Sequence, residues 1–380
     1  MKKRDDRQGL VRAGDLDFLK SRAAGMPAAV APKGTPHAPP IPTDGQLQNQ
    51  QLSLWQNFLY NREDERETLS NAVELWDSVP RYTISKQAQS KNRLHERFLE
   101  KHTATFQNRG RTYTCTISPA RVPDLDGNER DFYPSATEEL IEEVLRKLSA
   151  DQNAGFFDKP NYRSGVIFSL YALREELAKR GHTRSYQEVR LALDIMSGSI
   201  IEITTHDEQG EEGIIRSPYL PSVIAVTRNR LREDPQARWA VQFHPLVTSG
   251  IDKIQYRQFN YQRMMSHSTQ LARWLHKQLV LKHTGADLLK TFEMRYSTVK
   301  RDSGLLNNYA RERAAIDALE DAFQDLQKAE IISSFKREDL RGPRRKLLDV
   351  VFKIYPSYEF VKEVKAANKR LSDSTRQLNR

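Results

Sequence analysis

Three groups of basic and polar residues are spaced so that they can hold a polyanion. The run "RSYQEVR" offers Arg184, Tyr186, Gln187 and Arg190. A guanidinium is a rigid fork matched to phosphate or to a guanine edge, and a glutamine amide both donates and accepts. Together they can read base edges and phosphates at once. Tyr309, Arg311 and Arg313, with Lys300 and Arg301 just before them, repeat that chemistry in the second half of the chain. Lys336, Arg337, Arg341, Arg344, Arg345 and Lys346 crowd into "KREDLRGPRRK", a density suited to a phosphate backbone. For each arginine taken singly, an ion pair with a glutamate three or four positions away is an equally good use.

Bond-making chemistry finds no comparable support. The sequence has no Gly-Lys pair, so it lacks a phosphate loop for ATP. Its nine histidines form neither His-x-His nor His-Glu-x-x-His, which argues against a nicking enzyme and a zinc hydrolase. His276 and His283 suit a core position and a helix end. In "DLDGNERD" Gly127 is misplaced for a calcium loop and no closing glutamate follows, so an Asp-Gly turn is expected. Cys115 is the single cysteine, which excludes an internal disulfide and a thiolate cluster and suits a packed strand residue. The expectation is a binding protein without catalytic residues, metal or cofactor.

Side chains that read a surface need helices held at a fixed angle by a scaffold. From Asp64, "DERETLSNAVELWDSVP" puts Leu69, Ala72, Val73 and Trp76 at helical spacing, and Pro80 stops it. "HTATFQ" and "RTYTCTIS", turning at Gly110, predict a hairpin. Ser135 and Glu138 make a capping box for a helix with Leu140, Ile141, Val144, Leu145 and Leu148 inward. "ALREELAKRG" predicts a helix ended by Gly181, and Ser185 with Glu188 caps the next, whose buried stripe is Val189, Ala192, Leu193 and Met196. Arg184, Tyr186, Gln187 and Arg190 then occupy free positions at its positive end. "SIIEITT" and "IIRSPYLPSVIAV" flank "HDEQGEEG" as a hairpin, and "RWAVQFH" adds a third strand. Two helices at a tight turn followed by a hairpin are the order of a winged helix.

The second half repeats the order without repeating the residues. "SHSTQLARWLHKQLVLKHTG" is a helix with Leu271, Trp274, Leu275 and Leu279 inward, and "FEMRY" is a short strand. A short helix capped by Ser297 follows, then a long one with Ile316, Leu319, Phe323 and Leu326 inward. "EIISSF" and "LLDVVFKIY" form a hairpin around the basic turn, which suits a wing lying along a phosphate backbone, and a last helix runs from about Tyr358.

Composition agrees with a soluble, surface-rich chain of two domains plus extensions: 380 residues, 29% charged, and a mean hydropathy of −0.71. No run is apolar for long enough to span a bilayer, and the basic start has no apolar signal core, so a cytoplasmic location is expected. The net charge is +10. The basic excess gathers in 336–346 and the tail, whereas "TEELIEE" at 137–143 is acidic, an asymmetry that implies a polyanion on one face. The predicted organisation is α+β: a disordered Pro/Ala-rich leader over 1–50, a short peptide at 51–59, a first winged-helix domain over 64–255, a second over 256–358, and a basic tail over 359–380.

Gln51, Leu52, Ser53, Leu54 and Trp55 spell "QLSLW", which resembles the pentapeptide by which bacterial proteins bind the replicative sliding clamp. An exposed glutamine with leucines and an aromatic can fill an apolar groove, and a Pro-rich leader presents such a motif well. Leu52, Trp55 and Leu59 are also at helical spacing and can strap onto the first domain. With "YRQFNYQRMMSHSTQLARWLHKQL" at 256–279, and with the order of elements from about Gln51 to Phe335, the chain is similar to TrfA-type plasmid replication initiators. It departs from them in Trp55, where the family has Phe, and in the length of its basic extension after Phe335. The resemblance implies a non-enzymatic initiator that binds tandem direct repeats (iterons) in double-stranded origin DNA and helps to open adjacent AT-rich DNA. It also implies recruitment of the host helicase, initiator and sliding clamp, and a monomer–dimer balance. The alternative is a tandem winged-helix transcriptional regulator, which needs no clamp peptide and favours palindromes; a small primase would need a carboxylate metal cluster.

Overall fold

The computed structural model describes residues 68–95, 98–149, 154–206, 212–225 and 237–378. The leader and the Gln51–Trp55 peptide lie outside them. The chain is α+β and builds one arrangement twice.

The first segment departs from its helical spacing. Leu69–Val73 is a strand, β1, paired antiparallel with a strand more than 180 residues later, and a 3-10 turn at Trp76–Ser78 follows. The cross-strand partner decides this, because pairing satisfies the backbone groups of so short a run, and Ala72 and Val73 are buried either way. Helix α1 (Lys86–His95) leads to the expected hairpin of β2 (His102–Asn108) and β3 (Arg111–Ser118). β4 (Ala120–Pro123) and β5 (Glu129–Phe132) form a second hairpin. Its tip is the Asp-Gly turn, where Asp124 Oδ1 accepts from the amides of Asp126 and Asn128 at 2.9 Å.

The first winged helix comprises α2 (Ala136–Leu148), β6 (Gly155–Asp158), β7 (Arg163–Ser169), α3 (Leu170–Lys179) and α4 (Tyr186–Gly198), followed by four strands. Both capping boxes, Ser135 with Glu138 and Ser185 with Glu188, are formed. Gly181 adopts φ 80° at the turn between α3 and α4, a conformation that costs a residue without a Cβ little. β8 (Ile200–His206) and β9 (Glu212–Pro218) make the hairpin predicted to be the wing. Its position corrects that expectation. β8 pairs with β3, giving a separate sheet ordered β2-β3-β8-β9. The strand before the helix pair, β7, instead pairs with β11 (Arg238–Gln242), which pairs with β10 (Ser222–Ile224). The wing of the first unit is therefore β10–β11.

α5 (Pro245–Asp252), β12 (Tyr256–Asn260) and α6 (Tyr261–Met265) connect to the second unit, and β12 is the partner of β1. α7 (Gln270–Lys282), β13 (Phe292–Arg295), α8 (Tyr296–Ser303) and α9 (Glu312–Lys328) follow, with a 3-10 turn at Leu305–Asn308. Arg295, not Ser297, precedes the first turn of α8, because Asp349 takes the Ser297 amide and hydroxyl at 3.1 and 2.6 Å. β14 (Ile332–Arg341) and β15 (Leu347–Pro356) form the wing, and α10 (Tyr358–Leu378) closes the described chain. The sheet order β14-β15-β13 matches β10-β11-β7 of the first unit. Phe323 of α9 packs against Phe335 and Phe352 of the two wing strands, with ring centroids 5.3 and 5.0 Å away. That packing fixes the angle between helix and wing. No described helix is long and apolar enough to cross a membrane.

Candidate nucleic-acid interface

The site begins with what holds the two units together. α2 and α7, the first helices of the two winged helices, face each other across the turn at Trp76–Ser78. The facing side chains are charged and buried: Asp77, Glu139, Glu142 and Glu143 against Arg81, Arg146, Arg273 and Lys277. Arg273 meets Glu139 at 3.0 Å, and Lys277 meets Glu143 and, at 3.4 Å, Asp77. Arg146 reaches Asp77 at 2.7 Å and also Glu143, while Arg81 meets Asp77 at 3.1 Å and Glu142 at 3.0 Å. The Tyr82 hydroxyl and the Trp76 indole donate to the two oxygens of Glu142.

Burial alone would raise the Asp77 carboxyl, but Arg146, Lys277 and Arg81 hold it well below its ordinary range. Glu142, also pushed up by burial, is brought down to about 2 by Arg81 and Arg146. The acidic run at 137–143 is thus not a surface. Glu138, Glu139, Glu142 and Glu143 are all buried, which corrects the expected acidic face opposite a basic one.

This junction sets the two winged helices, and with them the candidate helices α4 and α9, relative to each other. Gln187 and Arg190 are exposed on α4, and Arg190 lies 3.8 Å from Asp194 one turn on. Tyr186 is half-buried, with the Arg174 guanidinium 3.9 Å from its ring centre, and Arg174 Nε donates to the Arg184 carbonyl at 2.8 Å. Arg184 itself donates to the Thr183 carbonyl. Tyr186 and Arg184 therefore brace the start of α4, while Gln187 and Arg190 point to solvent.

On the second helix Tyr309, Arg311 and Arg313 are exposed at or before the first turn. Further along, the exposed positions of α9 include Asp317 and Asp321, and the next cation, Lys328, comes only in its last turn. Lys300 sits over the Tyr296 ring at 5.8 Å, and Arg301 is held by Asp302 at 2.7 Å. The same Asp302 accepts from the Gln107 amide on β2 at 3.0 Å.

The basic turn divides in two. Arg337 pairs with Glu320 at 2.9 Å and with Asp339 at 2.7 Å, and Arg341 pairs with Asp339 at 2.6 Å. Lys336 lies 5.6 Å from the Tyr355 ring. Arg344, Arg345 and Lys346 are exposed at the wing tip, where Arg344 and Arg345 hold φ values of 56° and 58°. That left-handed conformation is strained for residues with a Cβ.

The two candidate regions approach a single short segment. Asn308, three residues before Arg311, donates through Nδ2 to the Thr83 carbonyl at 3.0 Å. Gly304, with φ 66°, approaches Thr83 so closely that a Cβ would lie 2.7 Å from its methyl. Three residues beyond Thr83, Lys86 lines a cleft with Glu188 and Leu191 of α4. The exposed cations and amides of both winged helices therefore border one short segment, Thr83–Lys86.

Sequence reasoning missed the junction. Its signal was present as Glu139, Glu142, Glu143 and Arg146 on one stripe of α2, facing Arg273 and Lys277 one turn apart on α7. Among the described residues no cluster of three metal-ligating side chains is present.

No family model matches the sequence, and no curated protein matches it. Among solved structures, the chain is similar to domains 2 and 3 of RctB, with 11% identity and a TM-score of 0.43, over 68% of this chain and 92% of that one. A second structure of RctB domains 2–3 gives 11% identity and 0.40 over 70% and 95%. A Pi initiator protein in complex with iteron DNA gives 11% identity and 0.40 over 58% and 91%.

Proposed function

We propose that the chain is a plasmid replication initiator that binds tandem direct repeats in origin DNA without enzymatic activity of its own. The observation that supports this reading is the approach of Thr83–Lys86 to α4 and to the segment ahead of α9; in this reading both helices face one duplex. Two winged helices fixed to each other can occupy successive major grooves, so a single molecule reads a long site without needing a symmetric partner. A direct repeat is the DNA arrangement that suits such a reader, whereas a palindrome suits a two-fold dimer.

In this reading Arg311, Arg313, Gln187 and Arg190 contact bases or phosphates, and Arg344 and Arg345 follow the backbone. The Gln51–Trp55 peptide captures the sliding clamp, and host helicase and initiator join the opened origin. The buried charges of the junction keep the two readers in register. The function is tested with a DNA circle that carries only this gene and its flanking DNA as origin. Maintenance in a bacterial host that stops when Arg311 and Arg313 are changed to alanine supports an initiator. Maintenance that does not depend on the protein, with binding at one promoter palindrome, would replace that reading with a transcriptional regulator.

A further inference from the structure

Helix α1 has no obvious reason to exist as a packing element. Its sequence, "KQAQSKNRLH", carries no apolar stripe, and among its described side chains the most deeply buried is Gln89. It is fixed by polar clips instead. Gln89 Nε2 donates to the Tyr133 carbonyl at 2.9 Å, and the Tyr133 amide donates to Gln89 Oε1 at 3.1 Å, so the side chain pairs with the backbone as a neighbouring strand would. Arg93 donates to the Asp131 carbonyl at 2.6 Å and lies 5.0 Å from the Phe132 ring. Such pairing gives little net stability for the ordering of a polar helix, but it specifies position.

That position lies between the two readers. One side of α1, through Lys86 and Ser90, borders α4 at Glu188 and Leu191. The other, through Ala88 and Asn92, shares a cleft with Asn308, just ahead of α9. The outward residues are Lys86, Gln87, Ser90, Lys91 and Asn92. Arg301, Arg337 and Arg341 are held by carboxylates within 4 Å, whereas Lys86 and Lys91 are exposed, with Lys86 only near enough to Glu138 and Glu188 to favour their ionised carboxyls.

We propose that α1 is a third DNA contact, in which Lys86 and Lys91 hold the phosphate backbone that separates the two grooves read by α4 and α9. It rests on the reading of the chain as a double-stranded DNA binder. A duplex that serves both readers has to pass over the helix between them. Two exposed ammonium groups there neutralise phosphates without reading sequence.

The test is anisotropy of the full-length protein on its footprinted site and on a scrambled duplex, across a series of salt concentrations. Each phosphate left without its cation lowers the slope of log K against log salt by about 0.9, so Lys86→Ala with Lys91→Ala is expected to lower it by about 1.8. Affinity should fall by the same factor on both duplexes, and Lys86→Arg with Lys91→Arg should keep the wild-type slope. A double alanine variant with the wild-type slope overturns the role of α1 while leaving the DNA-binding reading intact. Wild-type protein without salt-dependent duplex binding overturns both.

Discussion

The junction and the wing use the same residue types to opposite ends. At the junction, Arg81, Arg146 and Lys277 surround Asp77, and all four are buried. At the wing, Arg337 and Arg341 share Asp339 in the open, beside the exposed Arg344 and Arg345. A buried charge cannot fall back on water, so each must find an opposite charge inside the protein, and the geometry that supplies it is the relative orientation of two folded units. An exposed pair is screened and weak, and its arginines can be exchanged for a phosphate. Context, not composition, separates the charges that define the fold from those available to a ligand.

The largest effect is expected at Asp77. Asp77→Ala strands three cations in the interior and should cost about 3–5 kcal/mol of stability, read from urea unfolding. A decrease well under 1 kcal/mol would mean that the junction admits water.

Acid separates the two regions next. Burial pushes His244 down to about 3 and His267 to about 4, so both stay neutral in the folded protein where the unfolded chain takes up protons. The unfolded state then binds more protons below about pH 6.5, and stability falls as pH drops from there toward 4. Below about 4 the depressed carboxyls of Asp77 and Glu142 extend the fall, and for Glu142 it runs down to about pH 2. Unfolding midpoints should be level from about pH 8 to 7 and decline below that. A level profile down to about pH 4 would contradict the dry core around these groups.

At the reading surface, Arg311→Ala and Arg313→Ala should leave stability unchanged and weaken specific binding, by about 1–3 kcal/mol for each base pair that the arginine reads. An equal reduction on specific and scrambled DNA would make them phosphate-binding residues instead. The smallest effect belongs to Asp339→Asn, which should not move the unfolding midpoint and should raise the salt slope of DNA binding by releasing Arg341. An unchanged slope would show that Arg341 is held elsewhere, for instance by the Arg345 carbonyl that it already touches at 3.3 Å.

Much of the architecture was legible because local signals and tertiary structure agree. The capping boxes at Ser135 and Ser185, the turn at Gly181 and the stripe Ile316, Leu319, Phe323 and Leu326 each name one helix boundary or face, and the core uses them as written. Two elements were not legible. Leu69–Val73 fits either period, and only its pairing with Tyr256–Asn260 decides for a strand. The hairpin after α4 has the local marks of a wing, but its partner is β3, nearly ninety residues earlier, and pairing at that distance leaves no local trace.

The candidate site was half legible. Arg311, Arg313, Gln187 and Arg190 are exposed where the helix pattern put them, whereas Arg184, Tyr186, Arg301 and Arg337 are occupied by protein partners that the helix pattern does not single out. Glu139 and Glu143 of α2 looked like part of a solvated face because their partners Arg273 and Lys277 sit 134 residues away on α7.

The central claim is that one chain carries two readers fixed to each other on one face. A footprint of the purified protein on the DNA flanking its gene, at moderate salt so that backbone-only binding is suppressed, tests it most directly. The account predicts protection phased regularly over direct repeats, each long enough to span two successive major grooves. A single short palindrome, or no protection, would contradict it.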